Sequence, residues 1–215
     1  MESDILHFTD IEIINRIIKF NEELASFWSS SQSWAPLESA QLLSKSRLDW
    51  QASLSRVLKL FLDTEIRKES GALILAWSAL GSLTEGTMKL YLSVWYTNYK
   101  DESLRNDIKN IKNKKGELID PDSLDLEQLK AFFSKRIFTE ETRKIWRKEG
   151  ETDWIDWIQF IKDKRNAIHS FQNREIADFN IFFHNVRLYL QFLRILAGDF
   201  PYPDVEFGFS APSEV

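Results

Sequence analysis

Apolar side chains recur every three or four residues along most of this chain, which is the pattern of helices that bury one face. The first such stretch follows Thr9, an N-cap with Glu12 three residues later as a capping box, and is predicted to run to about Phe27. Segment 29–36 is mostly polar, ends in proline and is predicted to be a loop. Further helices are predicted over about 37–62, 69–99, 123–136, 139–150, 152–171 and 175–196.

The stretch 69–99 is the most apolar of these, and its apolar residues lie on all sides of the helix. A helix of this kind belongs in the centre of a bundle. Gly81 and Gly86 within it each cost about 1 kcal/mol relative to alanine. We therefore expect another backbone to approach the helix closely at these two positions.

The segment that follows has a different composition. Residues 101–121 combine lysines with Gly116 and Pro121, which predicts a frayed helix followed by an exposed loop. We therefore predict an all-α, up-and-down bundle of about six or seven helices. It forms one domain over residues 1–198, with an irregular insert at about 100–122 and an extended tail over 199–215.

Composition excludes several kinds of site. The chain has no cysteine and only three histidines, so a disulfide framework, a thiolate zinc site and a cysteine nucleophile are excluded. Its net charge of −5 argues against a general nucleic-acid coat, which is usually basic. The longest uncharged stretch, 70–84, is shorter than the roughly 20 residues that cross a membrane. With an acidic N-terminus lacking a signal-peptide pattern, these features predict a cytoplasmic protein without a membrane span.

The helix predicted over 152–171 places charge inside an apolar stripe. Arg165 projects among the apolar residues, Asn166 follows it, and His169 lies four residues later on the same side. An arginine in such a place needs a partner. That partner is an acid, a phosphate or cleft water. Glu85 is the candidate acid, and Lys89, four residues after Glu85, competes for it.

The run Lys164-Arg165-Asn166-Ala167-Ile168-His169, continued to Ile176, resembles the signature helix of HEPN-domain proteins. The second half of the apolar helix that carries Glu85 and the last predicted helix share the resemblance more loosely, whereas the N-terminal helices and residues 109–150 do not share it. The family consists of small helical bundles found in prokaryotic defence and toxin systems. Its motif is an arginine, often followed by asparagine or another polar residue, then a histidine after four to six intervening residues.

The resemblance implies a metal-independent endoribonuclease in which two protomers join their motif helices into one composite site. It implies that His169 is the general acid or base, that Arg165 holds the scissile phosphate, and that Asn166 positions either the histidine or the phosphate. It also implies no cofactor and no metal, and a role as a toxin or antiviral-defence effector whose activity a partner protein restrains. The homodimer would form through the motif-helix face, and Trp154 and Trp157 beside the motif fit burial by the partner chain.

The spacing departs from the family pattern, because only three residues separate Arg165 from His169. Lys164 stands at the position that would give four, but it projects about 140° from His169 whereas Arg165 projects about 40° away. Either Arg165 serves with altered geometry, or Lys164 serves more weakly because lysine lacks the planar fork, or the site is degenerate. A degenerate site would make the chain a non-catalytic interaction module, such as an antitoxin or assembly partner. A third alternative is a structural protein in which Arg165 only pairs with Glu85.

Overall fold

The computed structural model describes residues 7–105, 107–108, 110–139, 142, 152–169 and 174–202. Within these ranges the backbone is helical without any strand, and Lys112 and Leu118 form an isolated antiparallel bridge. The prediction of an all-α helical bundle is confirmed. The helices of the described residues are α1 Asp10–Ser29, α2 Leu37–Lys45, α3 Leu48–Val57, α4 Ser70–Val94, α5 Tyr96–Lys100, α6 Glu102–Arg105, α7 Leu126–Arg136, α8 Trp154–Arg165 and α9 Phe179–Gly198.

Side chains cap the N-termini of three helices. The N–H of Thr9 donates to the Glu12 carboxylate at 2.7 Å, as the predicted capping box requires. Asp125 accepts the N–H of Gln128 at 2.8 Å before α7, and Asp153 accepts the N–H of Ile155 at 3.0 Å before α8. Each carboxylate stabilises an end whose first N–H groups have no partner within the helix.

The single helix predicted over 37–62 is wrong, because α2 ends at Lys45 and α3 begins at Leu48. Ser46 has extended backbone angles, and its hydroxyl donates to the carbonyl of Leu42 at 3.0 Å. A serine side chain competes in this way for carbonyls that a continuing helix would use. The helix predicted over 69–99 is also divided, at Trp95, into α4 and α5.

Helix α4 lies at the centre of the bundle, as predicted, and packs against α2, α3, α8 and α9. Its Gly86 accommodates the side chain of Gln51, since a Cβ there would lie 2.1 Å from Oε1 of that glutamine. The Gln51 amide donates to the Leu83 carbonyl at 2.8 Å. The prediction that a backbone approaches Gly86 is therefore wrong, because the half-buried side chain of Gln51 occupies the space.

The insert and the C-terminal segment are partly packed. Ile108 and Ile111 are buried in the insert, so it is not the fully exposed loop that the lysines predicted. Phe200 is buried and its ring lies 5.2 Å from that of Trp28, so the first residues of the predicted tail join the core. The helix predicted over 139–150 and the rest of the tail, 203–215, lie outside the described residues.

Helix α8 directs its two tryptophans into the core of its own chain. Trp154 and Trp157 are both buried, and both rings pack against Phe192 of α9. The indole N–H of Trp157 donates to Asn185 Oδ1 at 2.9 Å. The inference that a partner chain covers these tryptophans is therefore wrong, since α9 already covers them. Among the described residues, no helix is both long and apolar enough to cross a membrane.

Candidate functional site

Helix α8 ends earlier than the sequence predicts. Its α-helical turns stop at Arg165, a 3-10 turn covers Asn166–Ile168, and the exposed His169 follows as the C-terminal cap. Residues 170–173, where the predicted helix ended, lie outside the described residues. Asn166 and His169 are therefore carried on a tighter, non-α turn directly after the last turn of α8.

Arg165 lies flat against α4, where Gly81 leaves room for its aliphatic stem. A Cβ built on Gly81 would lie 2.7 Å from Cδ of Arg165 and 2.8 Å from its Cβ. Any larger side chain at this position would push α8 away from α4. The close approach predicted at Gly81 is real, but it involves the side chain of Arg165 rather than a backbone.

The guanidinium of Arg165 forms an ion pair with Glu85, as the sequence predicted. Lys89, the competing cation, binds the other oxygen of the same carboxylate, with Nζ 2.7 Å from Oε1. Both cations thus share Glu85, which compensates the cost of placing Arg165 between two helices. Arg165 nevertheless keeps 31% of its side chain exposed, against 16% for Glu85.

The side chain of Lys164 has different contacts from that of Arg165. It is 9% exposed, and its ammonium donates to the carbonyl of Glu175 at 2.7 Å while lying 5.1 Å from the centre of the Phe160 ring. Lys164 is not among the described residues that line the cleft beside Arg165. Arg165 is therefore the motif cation that faces this cleft together with His169.

The cleft has a volume of about 610 Å³ and lies between α4, the start of α7 and the end of α8. Arg165, Asn166, His169 and Glu85 all line it. Four of the five site residues predicted from the sequence are thus brought together, and Lys164 is the exception. The serine hydroxyls of α4 and the capped end of α7 complete the described lining, which includes Ser78, Ser82, Ser123, Leu124, Asp125, Leu126 and Ile168.

A second ion-pair group in the same cleft was missed by the sequence analysis. Lys162 binds Glu127 of α7 across the cleft wall, and Lys130 binds the other oxygen of Glu127 at 3.2 Å. The hydrogen bond from Lys162 is the main cause that lowers the pKa of Glu127 below its ordinary value. Lys162 lies three residues before Arg165, so the helical spacing could have indicated that both cations share one face.

The other candidate groups lie away from this cleft or outside the described residues. His184 is exposed on α9, and neither it nor His7 is among the described lining residues. The sequence also contains two runs of lysine and arginine, near 109–115 and near 143–148, that could contact an RNA backbone. The second run lies outside the described residues. Within the described part of the chain, no three histidine or acidic side chains come together as a metal site would need.

In comparisons with known proteins, no family model, no curated protein and no solved structure matches this chain. The resemblance to HEPN-domain proteins therefore depends only on the residues quoted for it in the sequence, above all those of the motif helix. The cleft geometry is independent of that resemblance, and it supplies the chemistry on which a functional proposal can be built.

Proposed function

We propose that this chain is a HEPN-like, metal-independent endoribonuclease that cleaves RNA at the cleft lined by Arg165, Asn166 and His169. The observation that carries the proposal is the exposed imidazole of His169 in the same cleft as the partly exposed guanidinium of Arg165. Histidine is the side chain whose ordinary pKa suits proton transfer near neutral pH, and arginine is the natural donor to a phosphate.

The proposed reaction begins when the ribose 2′-oxygen attacks the adjacent phosphorus. The bond from phosphorus to the 5′-oxygen breaks, and the products are a 2′,3′-cyclic phosphate and a free 5′-hydroxyl. A base must remove the 2′-hydroxyl proton and an acid must protonate the leaving oxygen. Arg165 would stabilise the charge that develops on the phosphate oxygens.

One protomer supplies only part of this proton transfer. Within the described lining, His169 is the single imidazole, and Glu85 already accepts from both Lys89 and Arg165. The proposed enzyme is therefore a homodimer in which the second His169 supplies the other proton-transfer group. A strictly monomeric mass by light scattering at the assay concentration would contradict the composite site.

The test compares RNA cleavage in EDTA by the wild type, His169→Ala and His184→Ala. His184 is the matched control, because it is another exposed histidine but does not line the cleft. We expect the wild type and His184→Ala to release 2′,3′-cyclic phosphate ends, and His169→Ala to lose at least 100-fold in rate, since acid–base catalysis contributes about 10²–10⁴-fold. Equal rates in all three proteins, or no cleavage of diverse RNAs by any of them, would remove the proposal.

As a biological role we propose a toxin or antiviral-defence effector whose activity a partner protein restrains. Such a protein arrests growth when it is expressed alone, and His169→Ala removes the arrest. Arrest that persists undiminished in His169→Ala would contradict a role based on this cleavage.

The second candidate function is a non-catalytic interaction module, an antitoxin or assembly partner. It is favoured by the ion pairs that already occupy Arg165 and by the short spacing between Arg165 and His169. An arginine that is held by a carboxylate stabilises the contact between α4 and α8 without any substrate. Absence of cleavage, together with stable binding of a partner protein that survives His169→Ala, would support this alternative.

A further inference from the structure

Two ion-pair groups with the same arrangement meet at the cleft, and each contributes one acid and one cation to its lining. In the first, Lys89 and Arg165 bind different oxygens of Glu85. In the second, Lys130 and Lys162 bind different oxygens of Glu127. Helix α8 contributes one cation to each group, Arg165 toward α4 and Lys162 toward α7.

Each group carries one carboxylate and two cations, so each has a net charge of +1. Asp125 also lines the cleft and carries a negative charge, and its carboxylate already accepts the N–H of Gln128 as the α7 cap. The six charged residues of the two groups, four cations and two acids, therefore leave two separate positive positions. An anion can approach either position without removing the carboxylate that holds the helices together.

The two positions lie one helical turn apart. A step of three residues from Lys162 to Arg165 raises the axis by about 4.5 Å, and both side chains are long enough to adjust their separation. Both are partly exposed, at 26% and 31% of their side chains. Consecutive phosphates of an extended RNA strand are separated by a distance of this order, so they can occupy both positions, whereas a lone phosphate would occupy only one.

We propose that Lys162 is a positioning residue that binds a second phosphate, so that the cleft holds the two phosphates on either side of one nucleoside. The proposal deepens the ribonuclease function and depends on it. Arg165 takes the scissile phosphate beside His169, and Lys162 takes the neighbouring phosphate toward α7. The substrate class is then a single-stranded segment with at least two phosphodiesters, rather than a dinucleotide.

The test measures binding of 2′-O-methyl uridine oligomers, which cannot be cleaved because the attacking hydroxyl is blocked. The dimer has one phosphodiester and the trimer has two. By NMR titration we expect the trimer to bind about tenfold more tightly, the effect of one added charge-assisted contact. The logarithm of the binding constant should fall with the logarithm of salt concentration at a slope near −1.4 for the trimer and −0.7 for the dimer.

Three variants separate this role from a general charge effect. Lys162→Gln should lower trimer affinity to that of the dimer and halve the trimer's salt slope, while leaving the dimer unchanged. Lys135→Gln is the matched control, because it removes a lysine of α7 that pairs with Asp107 instead. Glu127→Gln should tighten trimer binding, since it removes the neutralising carboxylate, whereas a purely structural ion pair predicts no gain.

The proposal is overturned if neither oligomer binds, if the trimer keeps its advantage in Lys162→Gln, or if Glu127→Gln fails to tighten it. Thermal unfolding of each variant confirms that the protein tested is folded. RNA cleavage without a trimer preference would preserve the ribonuclease function and remove the second phosphate position. A trimer preference without cleavage of any RNA would remove the ribonuclease function and preserve the binding geometry.

Discussion

The substitution Gly81→Ala tests the packing contact between the Arg165 side chain and α4. The added methyl carbon would lie 2.7 Å from Cδ, 2.8 Å from Cβ and 3.0 Å from Cγ of Arg165. Carbon atoms pack best at about 3.5–4.0 Å, so the three distances are too short by at least about 0.5–0.8 Å. The Cβ of Arg165 is fixed to the α8 backbone, and therefore the helix itself must move.

The size of the effect follows from two opposing contributions. Overpacking of this kind costs about 1–3 kcal/mol. Replacing glycine by alanine inside a helix returns up to about 1 kcal/mol. We therefore expect Gly81→Ala to lower the free energy of unfolding by up to about 2 kcal/mol in urea denaturation.

Gly71→Ala is the control within the same helix. Nothing lies within 4 Å of a Cβ at Gly71, so this substitution should leave stability unchanged or raise it slightly. The double variant Gly81→Ala/Arg165→Ala should lose less than the sum of the single changes, because Cγ and Cδ are absent. If Gly81→Ala stabilises the protein as much as Gly71→Ala does, the described packing of Arg165 is wrong.

Two further predictions concern buried polar groups. Lys164→Met should lower the free energy of unfolding by about 1 kcal/mol, because the hydrogen bond to the Glu175 carbonyl is lost. The substitution should leave RNA cleavage and oligomer binding unchanged. A loss of cleavage comparable to that of Arg165→Ala would make Lys164 the functional cation. Burial raises the pKa of Tyr189 to about 12. Its contribution to stability is fully present below pH 10, the ordinary value, and is lost as pH rises toward 12. Urea unfolding between pH 8 and 11.5 should show this decline in the free energy of unfolding. Tyr189→Phe should make the decline with pH less steep, while Tyr91, whose pKa burial also raises, maintains part of it. A decline of unchanged steepness in Tyr189→Phe would contradict the assignment.

The sequence predicts well where local chemistry alone decides. The caps at Thr9, Asp125 and Asp153 act over two or three residues. The cap at Thr9 was predicted, and the helices after Asp125 and Asp153 begin within about three residues of their predicted starts near 123 and 152. The pairing of Arg165 with Glu85 joins residues 80 positions apart, and the sequence offered Glu85 only as the candidate acid, because it is the first charge after the uncharged stretch 70–84. The caps, in contrast, need no knowledge of how distant segments pack.

The features that were missed depend on tertiary contacts. The break at Trp95 has no glycine or proline to mark it, and the contact between Lys162 and Glu127 joins residues 35 positions apart. The tryptophans of α8 were apolar in pattern, but only the packed structure shows that α9 covers them. A pattern identifies which side chains need a partner, whereas packing decides which partner they receive.

The 3-10 turn over Asn166–Ile168 connects Arg165, at the end of α8, to His169. The polar anchors described for α8, from the Asp153 cap to the Arg165 ion pair, lie before Asn166, whereas the turn contributes the buried Ala167 and packs against α4. A residue gained or lost within 166–168 would therefore leave those polar anchors in place and displace one small apolar side chain. The number of residues between arginine and histidine can thus change at the cost of repacking Ala167, so the short spacing in this chain is compatible with an intact scaffold.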